Sequence, residues 1–151
     1  MISLTLEYAL RAVVAIAQNG DTPSTAKRIS EITEIPLPYL SKLMQGLVKA
    51  GIVSSQRGIH GGFLLIKDPA QLSIWDIAEV VDPVRRIVHC PLKLRSHGTD
   101  LCPLHRRIDD ALAGTEAVFR STTTAELLAE MTGANVLCEP ENAKPKPKPK
   151  R

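Results

Sequence analysis

The sequence predicts a mainly α-helical chain with one small β-hairpin, and three observations carry that prediction. Apolar residues recur at helical i, i+3, i+4 spacing around 6–17, 40–48, 74–81 and 104–119. Two short apolar runs, Ile52-Val53-Ser54-Ser55-Gln56 and Phe63-Leu64-Leu65-Ile66, flank a glycine-rich turn. Start and stop residues bracket the helices: Pro38 in a first turn, Gly51 at a left-handed stop, and capping boxes at Ser73–Asp76 and Thr123–Glu126.

The first helix carries Leu6, Leu10, Val13, Val14 and Ala17 on one face and ends at Asn19-Gly20. Its second face, with Tyr8, Ala12, Ala15 and Ile16, is nearly as apolar, so burial on both sides is expected. Glu7 and Arg11 are spaced as a helix-surface ion pair. A short helix over 26–33, a turn at Glu34-Ile35-Pro36 and a second helix follow. In the second helix Leu40, Leu43, Met44, Leu47 and Val48 form the core stripe. The opposite face holds Tyr39, Ser41, Lys42, Gln45 and Lys49, hydrogen-bond donors with no acid among them. Helix, turn, helix and hairpin together predict a winged helix-turn-helix over 1–82.

Beyond it, Ser73 opens a helix that Asp82-Pro83 ends. The segment 83–102 has no clear periodicity and holds Cys90, His97 and Cys102, which predicts an ordered cysteine loop. From 103 to 138 a long helix, with Leu104, Ile108, Ala111, Leu112, Thr115 and Phe119 in register, is followed by a short one. Its apolar face has no partner in so small a winged helix, so a homodimer is expected, as is usual for groove readers with two half-sites. The alternation of lysine and proline through 139–151 predicts a disordered or polyproline-like tail.

Charge points to the partner. The 151 residues carry a net +3, 44% hydrophobic and 3% aromatic content, hence an aliphatic core. Between 22 and 67 there are six basic residues and two acidic ones, whereas 68–138 holds seven basic and ten acidic. A positive module on an acidic body is the footprint of phosphate binding, and the expected partner is double-stranded DNA. Tyr39, Ser41, Lys42 and Gln45 would face the major groove, with Pro38 and Ser55 beside them. Arg57 and His60 would reach the minor groove or backbone, and Lys27 and Arg28 the phosphates. A recognition face that had given up DNA for protein contacts would be acidic or apolar, and this one is neither.

No apolar run reaches the roughly 18 residues of a membrane span, and the N-terminus lacks a basic leader region, so a cytoplasmic protein is expected. Three cysteines argue for reduced thiols or a metal site rather than a disulfide framework. An enzyme is not expected: there is no Cys-x-x-Cys pair and no Ser/His/Asp set.

Three stretches carry a family resemblance: Glu7-Tyr8-Ala9-Leu10-Arg11-Ala12; Ile35-Pro36-Leu37-Pro38-Tyr39-Leu40 running on to Leu47-Val48-Lys49-Ala50-Gly51-Ile52-Val53; and Ser55-Gln56-Arg57-Gly58 with Gly61-Gly62-Phe63-Leu64-Leu65. Over roughly residues 1–131 the chain resembles the Rrf-type (IscR/NsrR/CymR-like) bacterial winged-helix transcriptional regulators. The resemblance implies a homodimer paired through the long helices, acting as a repressor that answers to iron–sulfur or redox status. Cluster-bearing relatives carry three evenly spaced loop cysteines, and IscR-like members add a histidine. The corresponding positions here are Cys90, Ser96, Cys102 and His105, so the middle thiol is a serine. The implied cofactor is a 2Fe–2S cluster on Cys90, Cys102 and His105, with Glu7 matching the acidic position that some members supply from the partner's first helix. A thiol-based or small-molecule switch, or zinc on Cys90, His97, Cys102 and His105, stays open beside it.

Overall fold

The computed structural model describes residues 2–91 and 100–131; Ser96, His97, Cys138 and the tail 139–151 lie outside them. Among the described residues the order is α1 (Leu4–Gln18), α2 (Ala26–Thr33), α3 (Leu37–Lys49), β1 (Val53–Gln56), β2 (Gly62–Leu65), α4 (Ile74–Val81), α5 (Pro103–Ser121) and α6 (Thr124–Glu130). No helix among them is long and apolar enough to cross a membrane.

Helix α1 is capped by Ser3, whose Oγ accepts from the Leu6 N–H at 3.2 Å. Ala9, Ala12, Val13, Val14 and Ile16 have no solvent exposure, so the helix is buried on both apolar faces as expected. It contacts α2, α3 and β2, and also α4 and α6. Thr25 caps α2 by accepting from the Arg28 N–H at 3.1 Å, and Glu34 closes that helix in the left-handed conformation at φ 57°. Ser30 Oγ then donates to the Ile35 carbonyl at 2.6 Å, locking the turn into α3. Pro38 lies in the first turn of α3, and Gly51 ends the helix at φ +70°.

Strands β1 and β2 pair antiparallel, from Val53 opposite Leu65 to Gln56 opposite Gly62. A third segment joins them. The Ser24 N–H donates to the Phe63 carbonyl at 2.9 Å, and the Phe63 N–H returns a bond to Ser24 at 2.8 Å. This close approach explains Gly62, where a Cβ would sit 2.6 Å from the Ser24 carbonyl oxygen. Both capping boxes form, and they sit side by side. Thr124 N–H donates to Leu72 at 2.8 Å and Ile74 N–H to Thr122 at 3.0 Å, stapling the starts of α4 and α6 together.

Helix α5 departs from expectation. The row predicted as one free face divides in two. Phe119 is buried in the core and Leu112 is half-buried, while Leu104, Ile108 and Val118 are 64%, 42% and 58% exposed. The cause is geometric. A stripe containing both Ala111 and its neighbour Leu112 spans at least about 100° of the helix surface, and only its Leu112–Phe119 edge meets the chain's own core. Positions 105, 109, 112, 116 and 119 face the chain's own body; 104, 108, 111 and 118 form an exposed row, with the half-buried Thr115 at its edge beside Leu112 and Leu6.

An ionic clasp fixes the inward row. Arg86 grips Asp109 bidentately, at 2.7 Å from Nε to Oδ1 and 2.6 Å from Nη2 to Oδ2, and the Ile87 N–H adds a bond to Oδ1 at 2.8 Å. Glu116 lies 3.8 Å from Arg86 and 2.8 Å from Arg120, whose guanidinium lies over the Trp75 ring, 4.2 Å from its centroid. The Arg86 hydrogen bonds, then that of the Ile87 N–H, hold the Asp109 carboxyl down at about 2. A carboxylate depressed in the folded state stabilises it fully above the ordinary value of about 3.9 and loses that contribution as pH falls toward the folded value. Asp109→Asn should therefore melt below the native chain at pH 7, and the two melting curves should converge as pH falls from about 4 to about 2. An offset that stays constant over that window would show that the carboxylate charge does not act in this way.

Candidate nucleic-acid interface and cysteine site

The α2–turn–α3 unit presents a polar face because its other face is consumed by the core. Leu40, Met44 and Leu47 are fully buried, which leaves Pro38, Ser41, Lys42, Gln45 and Lys49 exposed along α3. Ser41, Gln45, Val48 and Lys49 face Ser55 of β1 and Phe63 of β2 across a groove of about 380 Å³. Helix and wing thus make one continuous surface, extended by the exposed Arg57 and His60 at the wing tip. Lys27 and Arg28 are exposed at the start of α2; Lys27 lies 3.9 Å from Glu31, a solvent-exposed pair that holds it weakly.

Two of the expected groove-facing hydroxyls are engaged within the chain. Tyr39 leans back on α1: its hydroxyl lies 2.6 Å from Thr5 Oγ1, and its ring meets Tyr8 edge-on at 5.5 Å. Ser41 Oγ donates to the Leu37 carbonyl at 2.9 Å, so it meets a base edge only as an acceptor unless that bond exchanges. Lys49 belongs to the same exposed face, and its position four residues after Gln45 signals this in the sequence.

The cysteine site comes together only in part. Cys102 immediately precedes α5, and its Sγ lies 3.3 Å from His105 Nδ1 in the first turn. Cys90 is half-buried, and Glu7 lies 4.0 Å from Arg11 on α1. Among the described residues no group of three or more His, Cys, Asp or Glu side chains is placed to hold a metal ion. The expected quartet of Cys90, Cys102, His105 and Glu7 is therefore not assembled within one chain's described residues. Cys102 and His105 are adjacent. Glu7 stands beside Arg11 in α1, and the resemblance assigns its ligand role to the first helix of a partner subunit, which a single chain does not contain. The donors in hand fit half of a four-ligand cluster. Ser96 and His97 lie outside the described residues.

A short helix, a locked turn, an exposed cationic helix and a stapled hairpin define a winged-helix DNA-binding protein. Residues 2–130 match the Rrf2 family, described as iron-dependent transcriptional regulators, and the chain belongs to that family. It is 37% identical over 111 residues to the HTH-type transcriptional regulator IscR of an Enterobacter species, an alignment covering 71% of this chain and 68% of that one. Among solved structures it is similar to T. potens IscR (TM-score 0.71, 28% identity, covering 88% and 93% of the two chains). It is equally similar to CymR, the global cysteine regulator of B. subtilis (TM-score 0.71, 27% identity, covering 85% and 96%). These relatives are regulators and not enzymes.

The Tyr39 contacts make a measurable link between α1 and α3. A double-mutant cycle on Thr5→Val and Tyr39→Phe, read by urea unfolding, should return a coupling of about 0.5–1.5 kcal/mol. Strictly additive effects would mean that solvent takes over the bond without loss.

Proposed function

We propose that the protein is a homodimeric, sequence-specific repressor that binds double-stranded DNA in the cytoplasm and answers to iron–sulfur or redox status. The observation that carries the DNA-binding part is the acid-free face of α3, open to solvent and continuous with the wing across the groove lined by Ser55 and Phe63. Ser41, Lys42 and Gln45 on α3 meet base edges, Pro38 and Tyr39 pack at the start of that helix, and Lys27, Arg28 and Ser55 serve the backbone. Arg57 and His60 extend the contact from the wing.

Pairing falls to α5. The row of Leu104, Ile108, Ala111, Thr115 and Val118 has the alternating four- and three-residue spacing of a helix-pairing seam, and all but Thr115 are exposed aliphatics. For the signal, Cys102 and His105 supply a thiolate and an imidazole at one helix end. Cys90 of the same chain and Glu7 of the partner subunit would complete a 2Fe–2S site, which supplies a redox-sensitive, exchangeable group. A second reading, a thiol-based switch without a cluster, draws on the absence, among the described residues, of any group of three or more metal-ligating side chains.

Selection from random duplexes with the full chain tests DNA reading directly. Gln45→Ala should lose discrimination at one base position by about 1–3 kcal/mol. Arg57→Ala should weaken binding across all sequences and reduce the salt slope by about one. Selection of no sequence by the native chain would overturn the DNA reading.

Ile108→Glu places a carboxylate in the proposed seam without touching the core and should sediment as a monomer. A persistent dimer would move the interface off α5. After anaerobic reconstitution, the native chain should carry iron and a visible charge-transfer band, both lost in Cys102→Ala and strengthened by Ser96→Cys. An iron-free native chain would overturn the cluster and leave the thiol switch.

A further inference from the structure

The apex of the wing carries an unusual side chain. Ile59 is 95% exposed, the most exposed large apolar residue among those described, between the exposed Arg57 and His60. The turn that presents it is tightly specified. Gly58 sits at φ +112°, and the Gly61 N–H donates to the Gly58 carbonyl at 2.9 Å. A Cβ at Gly61 would collide with the Gln56 carbonyl oxygen and lie 2.9 Å from that of Gly58. At the base, the wing is held to Ser24 by the two backbone bonds of Phe63. The tip is thus held through backbone geometry, with its one branched aliphatic side chain projecting outward. Folding gains nothing from that exposure.

We propose that Ile59 is a sequence-reading residue that packs on the floor of the minor groove and selects A·T over G·C beneath the wing tip. This rests on the DNA-binding reading above and deepens it. The partner surface must be anionic at its edges, to suit Arg57, and apolar enough at its centre to receive an isoleucine. The minor groove has this form: phosphate-lined rims, sugar walls and a floor of base edges. At A·T and T·A pairs the floor shows only acceptors lying flush with the bases, whereas at G·C the guanine 2-amino group projects as a donor. Isoleucine has no acceptor for that donor. The acceptors of an A·T pair lose water under the side chain as well, so the discrimination is chiefly steric. The amino group occupies the space the isoleucine would fill, and burying it adds an unsatisfied donor. The side chain therefore discriminates by excluding one amino group and forms no hydrogen bond of its own.

The test is selection of binding sites from random duplexes by the full native chain and by Ile59→Ser, followed by titration of defined duplexes. The native chain should select A·T at positions flanking those whose preference depends on Gln45. Placing G·C at such a flank should weaken binding by about tenfold. Inosine in place of that guanine, which removes only the 2-amino group, should restore it. Ile59→Ser should lose the flanking preference and keep the Gln45-dependent positions. The proposal is overturned if Ile59→Ser keeps the A·T restriction, since shape or Arg57 would then be the reader, or if inosine fails to rescue, since the preference would then be read from the major groove. If a Gln45-dependent core is selected with no flanking preference, this proposal falls and DNA reading stands. If neither protein selects any sequence, both fall.

Discussion

Helix α1 has no solvent-facing side through its middle turns, and the rest of the chain is arranged to keep it so. Ala9, Ala12, Val13 and Ile16 admit no water, and a helix this apolar on both faces has no stable position alone. Helices α2 and α3 with β2 cover one side, and α4 and α6 cover the other. The result is a shared core in which Leu40 and Met44 of the DNA-facing unit belong to the same cluster as Trp75 of α4 and Phe119 of α5. No break in the apolar packing falls at residue 82, where the sequence predicts the winged helix to end; one cluster runs straight across it.

The same helix touches the reading surface through Tyr39. Thr5 and Tyr8, one turn apart on α1, hold the hydroxyl and the ring of a residue in the first turn of α3. Glu7 lies between them in sequence. The start of α3 is therefore oriented by α1 as well as by its own burial. A displacement of α1's N-terminal turns would have to break a hydrogen bond and an aromatic contact to leave α3 where it is.

Features set by neighbours a few residues apart were legible in the sequence. The Gly51 stop, Pro38 in a first turn, both capping boxes and the polar face of α3 all follow from local backbone needs and helical spacing. What escaped depends on distant partners. Ser24 and Phe63 carry no signal that they will pair, since backbone groups alone make the bond. Arg86 and Asp109 are 23 residues apart, and Tyr39 is 34 from Thr5, so neither contact has a periodicity to betray it. The division of α5 escaped for a subtler reason. Its two apolar rows differ by a single residue in phase, and composition alone cannot say which row the core will claim. The cysteine site was legible as a set of ligand types, but not as an assembled group, because ligand spacing says nothing about the distance between helix starts.

Two demands on α5 explain why it carries two such rows. The inward row must close the chain's own core, and Phe119 with the Arg86–Asp109 clasp achieves that. Under the pairing proposed above, the outward row would answer to the limited strength of a single reading module. One unit with a handful of exposed cations neutralises few phosphates and releases few counterions, so its affinity at physiological salt would be weak. Pairing two units doubles the phosphate contacts and spaces two recognition helices for successive half-sites. A row of exposed aliphatics at pairing spacing, on a helix already anchored by its adjacent face, would meet that need without disturbing the fold. Rotated by one residue, α5 would offer its core-filling side to a partner and leave Trp75 without its cover.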